Sequence, residues 1–102
     1  MLNLQLQLRP QTEKRLKKIL NLYKDQEVFA QNIIDFQISE LKRGIVNIRL
    51  DMEEHEKRYQ MSSKEFYKNF KNGELDDTED FMAWAGIYEL FEENTNKLKK
   101  FE

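Results

Sequence analysis

Pro10 is the only proline among 102 residues, so the chain beyond it is free of the residue that most reliably breaks a helix. The longest consequence is QEVFAQNIIDFQISELKRGIVNIRLDMEEHEKRY, residues 26–59. In it Ile34, Ile38, Leu41, Ile45, Ile48 and Met52 recur at spacings of 4, 3, 4, 3 and 4, and the same rhythm reaches His55 and Tyr59. A stripe of this period is a coiled-coil seam. Val28, Phe29, Ile33 and Phe36 widen the apolar surface at its start. Gly44 interrupts the run at about 1 kcal/mol relative to alanine. Two alternatives follow: one helix of roughly 50 Å at 1.5 Å per residue, or two helices with a bend at Gly44.

The segment before it, RPQTEKRLKKILNLY, predicts a helix of about 14 residues. Pro10 suits the first helical position, where its missing N–H costs nothing. Leu16, Ile19, Leu20 and Tyr23 form one face and lysines the other. Lys24-Asp25 makes a very short break, with Asp25 placed to cap the next helix.

The tail is richer in rings. Nine of the twelve aromatic residues lie from Tyr59 onward, so this part is built to bury large surfaces. Ser62 with Glu65 three residues on is a capping box, and Phe66, Tyr67 and Phe70 load a short helix. Asn72-Gly73 ends it, with Gly73 suited to the left-handed closing position. Asp76 and Glu79 then predict the start of a last helix, which carries Phe81, Trp84, Tyr88 and Phe91 at spacings of 3, 4 and 3. That stripe has two readings: a helix-in-groove surface for a partner, or a hairpin core packed on Phe66 and Phe70.

One stretch departs from helical periodicity. In NLQLQLRP, residues 3–10, Leu4, Leu6 and Leu8 alternate with Asn3, Gln5, Gln7 and Arg9, the pattern of a strand with one apolar face. No second strand is evident in the sequence, and a lone strand leaves its backbone groups unpaired. The simplest expected partner is the same strand of a second copy, giving an antiparallel ribbon about a two-fold axis.

Strand, helix, short turn, helix: this order resembles the ribbon-helix-helix family of DNA-binding proteins, on LNLQLQLRP for the ribbon, TEKRLKKIL for the first helix and VFAQNIIDFQISEL for the second. The resemblance implies a mainly α homodimer with one N-terminal strand per chain, a long second helix and a C-terminal helical arm. It implies operator DNA as a partner, with Asn3, Gln5 and Gln7 as base readers. Asn and Gln offer the paired donor and acceptor that adenine requires. Arg9, Lys14, Arg15, Lys17 and Lys18 are the expected phosphate contacts. The chain then divides into a dimerisation and DNA-binding module at 1–44, a heptad spacer at 45–60 and a partner-binding arm at 61–102.

MSSKEFYKNFKNGELDDTEDFMAWAGIYEL further resembles the C-terminal part of antitoxin-like members of that family, which implies a small basic protein toxin as the second partner. Charge agrees. Residues 1–50 carry nine Lys/Arg against five Asp/Glu, and residues 51–102 eight against fourteen, so a net +4 precedes a net −6. Between Gly73 and Glu93 stand eight acids and no Lys or Arg. The expected anchors are Phe66, Phe70, Phe81, Trp84, Tyr88 and Phe91, because large aromatics dominate interface energetics. The expected function is an antitoxin that represses its own operon. The alternatives are a helical interaction protein without DNA binding and a stand-alone repressor.

Other chemistries find little footing. There are no cysteines, hence no disulfide scaffold or thiolate metal site. His55 is the only histidine and falls on the seam, where packing explains it. The acids of ELDDTED lack calcium-loop spacing. No catalytic residue, metal or cofactor is expected. No apolar run approaches a membrane span and no leader pattern opens the chain, so the expected location is the cytoplasm.

Overall fold

The computed structural model describes residues 1–102. It is made of four helices: α1 (Pro10–Leu20), α2 (Gln26–Tyr59), α3 (Ser63–Lys71) and α4 (Glu79–Phe101). The mainly α class holds, but the ribbon-helix-helix assignment does not. Residues 1–9 form no strand, and none occurs elsewhere. A strand exists by pairing its backbone. The leucine alternation defines which face such a strand would bury, and nothing in the chain offers the ladder.

Two compact units are present, Met1–Asp35 and Phe36–Glu102. The first holds α1 and the opening turns of α2. Arg9 is extended before Pro10, which takes the first turn of α1. The helix closes after 11 residues, and Asp25 then accepts a 2.9 Å hydrogen bond from the Glu27 amide to cap α2. Tyr23 meets Phe29 edge-on at 5.3 Å, and its hydroxyl accepts a 3.0 Å bond from Asn32 Nδ2. No residue of this unit is fully buried, and Leu2, Leu4, Leu6 and Leu22 are open to solvent.

α2 runs unbroken through Gly44, which settles the two alternatives in favour of one helix. It stops at Gln60, whose φ of 54° lies in the left-handed region. Ser62 caps α3, its Oγ accepting from the Glu65 amide at 3.1 Å. α3 ends as expected at Gly73, φ 76°. There the Gly73 amide donates to the Phe70 carbonyl and the Glu74 amide to that of Asn69, a Schellman closure. The cap of α4 is Thr78, whose Oγ1 accepts from the Phe81 amide. Asp76, expected in that role, sits two residues too early.

The second unit explains the heptad seam. α2 and α4 lie antiparallel. A Cβ on Gly44 would lie 3.9 Å from Asn94, the Arg49 guanidinium sits over Phe91, His55 stacks on Trp84, and Tyr59 meets Phe81. The seam expected to serve as a spacer between modules is therefore one wall of the arm. From Gly44 to Tyr59 its coiled-coil rhythm is answered by α4 of the same chain.

Candidate protein-binding arm

The centre of the arm is a column of rings. Phe66 of α3 and Trp84 of α4 stack 3.8 Å apart, 5° from parallel, and both have 0% exposure. His55 stacks on Trp84 at 5.3 Å, Tyr59 at 5.8 Å, and Ala85 and Met52 complete the buried set. The polar edge of the indole is satisfied, since Nε1 donates to Ser63 Oγ at 2.9 Å. Ser63, also buried, donates its amide to Glu56 Oε2 at 2.8 Å. One serine thus ties α2, α3 and α4 together.

The side chains expected as partner anchors divide: Phe70, Phe81, Tyr88 and Phe91 keep part of their surface exposed. Phe66 and Trp84 present no surface at all. Phe70 stacks on Phe66, Phe81 packs on Tyr59 and Phe66, Tyr88 on Tyr67, and Phe91 lies under Arg49. Of the two readings of this stripe, the hairpin core describes these contacts. Fully buried rings hold the arm's shape and leave recognition to other groups.

The acids fall into two sets. Asp80 accepts from the Tyr59 hydroxyl at 2.6 Å and from Arg58 at 2.9 Å. The Tyr59 bond, with Arg58 second, holds its carboxyl below the usual range. Glu89 accepts from the Tyr67 hydroxyl at 2.6 Å, and that bond above all pushes the phenol up to about 12. Tyr88 is raised by burial first and by Glu92 second. These carboxylates brace the arm. Glu74, Asp76, Asp77 and Glu79 are exposed, form no ion pair within the chain, and remain free to meet a cationic partner.

Beside Met52 and Phe91 lies an open cleft of about 330 Å³, edged by Arg49, Lys64, Glu53 and Glu92. Its charges are mixed, and no group of three His, Cys, Asp or Glu side chains gathers as a metal site would require.

The expected DNA-facing residues belong to the other unit. Asn3, Gln5, Gln7 and Arg9 lie on the segment before α1, which has no regular secondary structure, and Lys14, Arg15, Lys17 and Lys18 lie on α1, all exposed. Lys17 pairs with Glu13 at 3.2 Å. Without a strand the three amides have no ribbon to fix them in a row. The sequence does not reveal the Ser63 link, because nothing in it distinguishes a buried serine from the capping serine beside it. The aromatic spacing was visible, but its direction was not.

Comparison with protein-family models, with curated proteins and with solved structures finds no match for this chain, so no family supports the ribbon-helix-helix assignment that the missing strand already overturns.

Proposed function

We propose that this chain is a helical binding protein of the antitoxin kind, which masks a small basic protein through its C-terminal arm. The observation that carries the reading is the unbroken acidity of residues 73–93, eight carboxylates without a Lys or Arg, mounted on a hairpin whose core is internally complete. Four of these carboxylates, Glu74, Asp76, Asp77 and Glu79, are exposed and outside any ion pair, and such a cluster of one sign steers a partner of the other and sets its orientation. Because the scaffold is already packed, little ordering cost falls on binding.

The front unit is proposed to pair with a second copy. Its leucines are open, it has no buried residue, and a unit of that size rarely stabilises itself. Each leucine fully covered would contribute roughly 1.5–3 kcal/mol. A second reading adds DNA at this end, favoured by the exposed Arg9, Lys14, Arg15 and Lys18. Phosphate contacts of that kind give affinity that falls steeply with salt.

The test is co-expression with the product of the adjacent reading frame. The full chain is expected to restore growth. A variant with Glu74, Asp76, Asp77 and Glu79 changed to Gln or Asn is expected to lose that protection while keeping its circular dichroism. Equal protection by the variant would sink the acidic-arm reading.

A further inference from the structure

α4 has a second face. Met82, Ala83, Gly86 and Leu90 follow one another at helical spacing and so lie along one side of the helix. Met82 is 59% and Leu90 45% exposed, and Ala83 and Gly86 are exposed as well. A Cβ built on Gly86 meets nothing within 4 Å. The residues with which α4 grips the rest of the arm are on other sides: Phe81, Trp84 and Tyr88 toward α3, and Trp84 and Phe91 toward α2.

The relief of this face suits a helix. Met82 and Leu90 stand one turn either side of Gly86, which leaves a notch between two larger side chains. Interaxial distance depends on the side chains at the crossing, and a glycine there permits a close approach. Charge selects the occupant. Glu79 lies one turn before the stripe, exposed and free of any ion pair. Glu93 lies one turn beyond it and meets Lys97 at 3.4 Å. A second copy docked by two-fold symmetry would set these acids against their own kind, which is unfavourable. A helix with an apolar stripe and Lys or Arg at its margins buries the stripe and meets Glu79.

We propose that the Met82–Gly86–Leu90 face of α4 is the docking surface for a basic amphipathic helix of a protein partner. This rests on the reading of the arm as a masking element and supplies its contact face, distinct from the aromatic stripe on the inner side.

The test uses the full chain and a fluorescein-labelled helical peptide with a leucine stripe flanked by lysines, beside a control in which glutamates replace the lysines. Fluorescence anisotropy gives the affinities. The lysine peptide is expected to bind, and Gly86→Gln to weaken it at least about tenfold while circular dichroism shows the same or greater helicity, since Gly86 has room and glycine is a poor helix former. Leu90→Gln is expected to act likewise and carries the test should Gly86→Gln disturb the fold. Val46→Gln, at a 56% exposed position of α2, should leave binding within about twofold. Equal binding of the two peptides, or indifference to both α4 variants, would overturn the proposal. So would a change in sedimentation mass on Gly86→Gln without peptide, which would assign the face to a second copy. Face-dependent peptide binding without protection in cells would instead remove the antitoxin reading and leave the docking face standing.

Discussion

The ring of Phe66 lies parallel to the indole of Trp84, with centroids 3.8 Å apart and no exposed surface on either residue. This one stack joins α3 to α4. The indole N–H then reaches Ser63, and the Ser63 amide reaches Glu56 on α2. A continuous path of contact and hydrogen bonding therefore crosses three helices.

Trp84→Ala should destabilise the chain by about 3–5 kcal/mol, the cost of emptying a large aromatic site in a packed core. Ser63→Ala removes only an oxygen, yet it leaves the indole donor buried and unpaired, at about 1–3 kcal/mol. Urea unfolding of the full chain measures both. A Trp84→Ala variant within about 1 kcal/mol of the parent would show that this column is not the core.

Gln60→Gly should stabilise the chain by about 0.5–1 kcal/mol. Gln60 closes α2 at φ 54°, a conformation that costs a side-chain-bearing residue about 1–2 kcal/mol. Part of the gain is offset by loss of the exposed 2.8 Å bond from its amide to the Lys57 carbonyl. Thermal unfolding followed at 222 nm by circular dichroism gives the sign, and a lower midpoint for the glycine variant would contradict it.

The helices were legible in the sequence because their stripes are regular, and Ser62 and Gly73 were legible because caps and left-handed closures demand particular residue types. What a stripe faces was not. Ile45, Ile48, Met52 and His55 look the same whether the opposite helix comes from another copy or from residues 81–98 downstream. The stripe Phe81, Trp84, Tyr88, Phe91 carries the same ambiguity from the other side. Each is the answer to the other, and only their antiparallel register in three dimensions reveals it. The leucines at 2, 4, 6 and 8 illustrate the same limit: alternation specifies two faces and says nothing of a neighbouring strand. The Met82–Leu90 face was masked by the stronger aromatic rhythm on the same helix.

Stability should fall at both ends of the pH scale for separate reasons. Asp80 titrates below its usual range in the folded arm, chiefly through the Tyr59 hydroxyl and then Arg58. Its contribution is therefore present above the unfolded value near 3.9 and lost as pH falls through the lower folded one. Tyr67 behaves oppositely. Its phenol is raised to about 12 by the bond to Glu89, so its contribution is present below about pH 10 and lost as pH rises through the folded value. Asp80→Asn should flatten the acid limb of a melting-temperature profile, and Tyr67→Phe the alkaline limb. Both sites are partly exposed, so added salt should shrink both differences. Identical profiles for parent and variants would refute the assignment.

The two units should differ in their ability to fold alone. Residues 36–102 contain the whole ring column, the Ser63 links, two capped helices and the antiparallel seam, and none of these draws on the first thirty-five residues. Residues 1–35 contain one tyrosine–phenylalanine contact, one capped helix start and no buried side chain. Isolated helices of about 12 residues are marginal in water without packing, and α1 has 11. The fragment 36–102 is therefore expected to be helical and to unfold in one cooperative transition. The fragment 1–35 is expected to show weak helicity that melts without a transition at low concentration. A fragment ending at Tyr59 is a third case, because it keeps α2 but deletes α4 and bares Leu41, Ile45, Ile48 and Met52 along one side. Such a seam associates with its own kind, so this fragment is expected to sediment as an oligomer even where the full-length front unit is disrupted by Leu4→Gln and Leu6→Gln. Circular dichroism and sedimentation of the three fragments make the comparison. A monomeric, stably helical 1–59 would show that the seam does not need α4, and a 36–102 fragment that melts without cooperativity would show that the arm is not a self-sufficient fold.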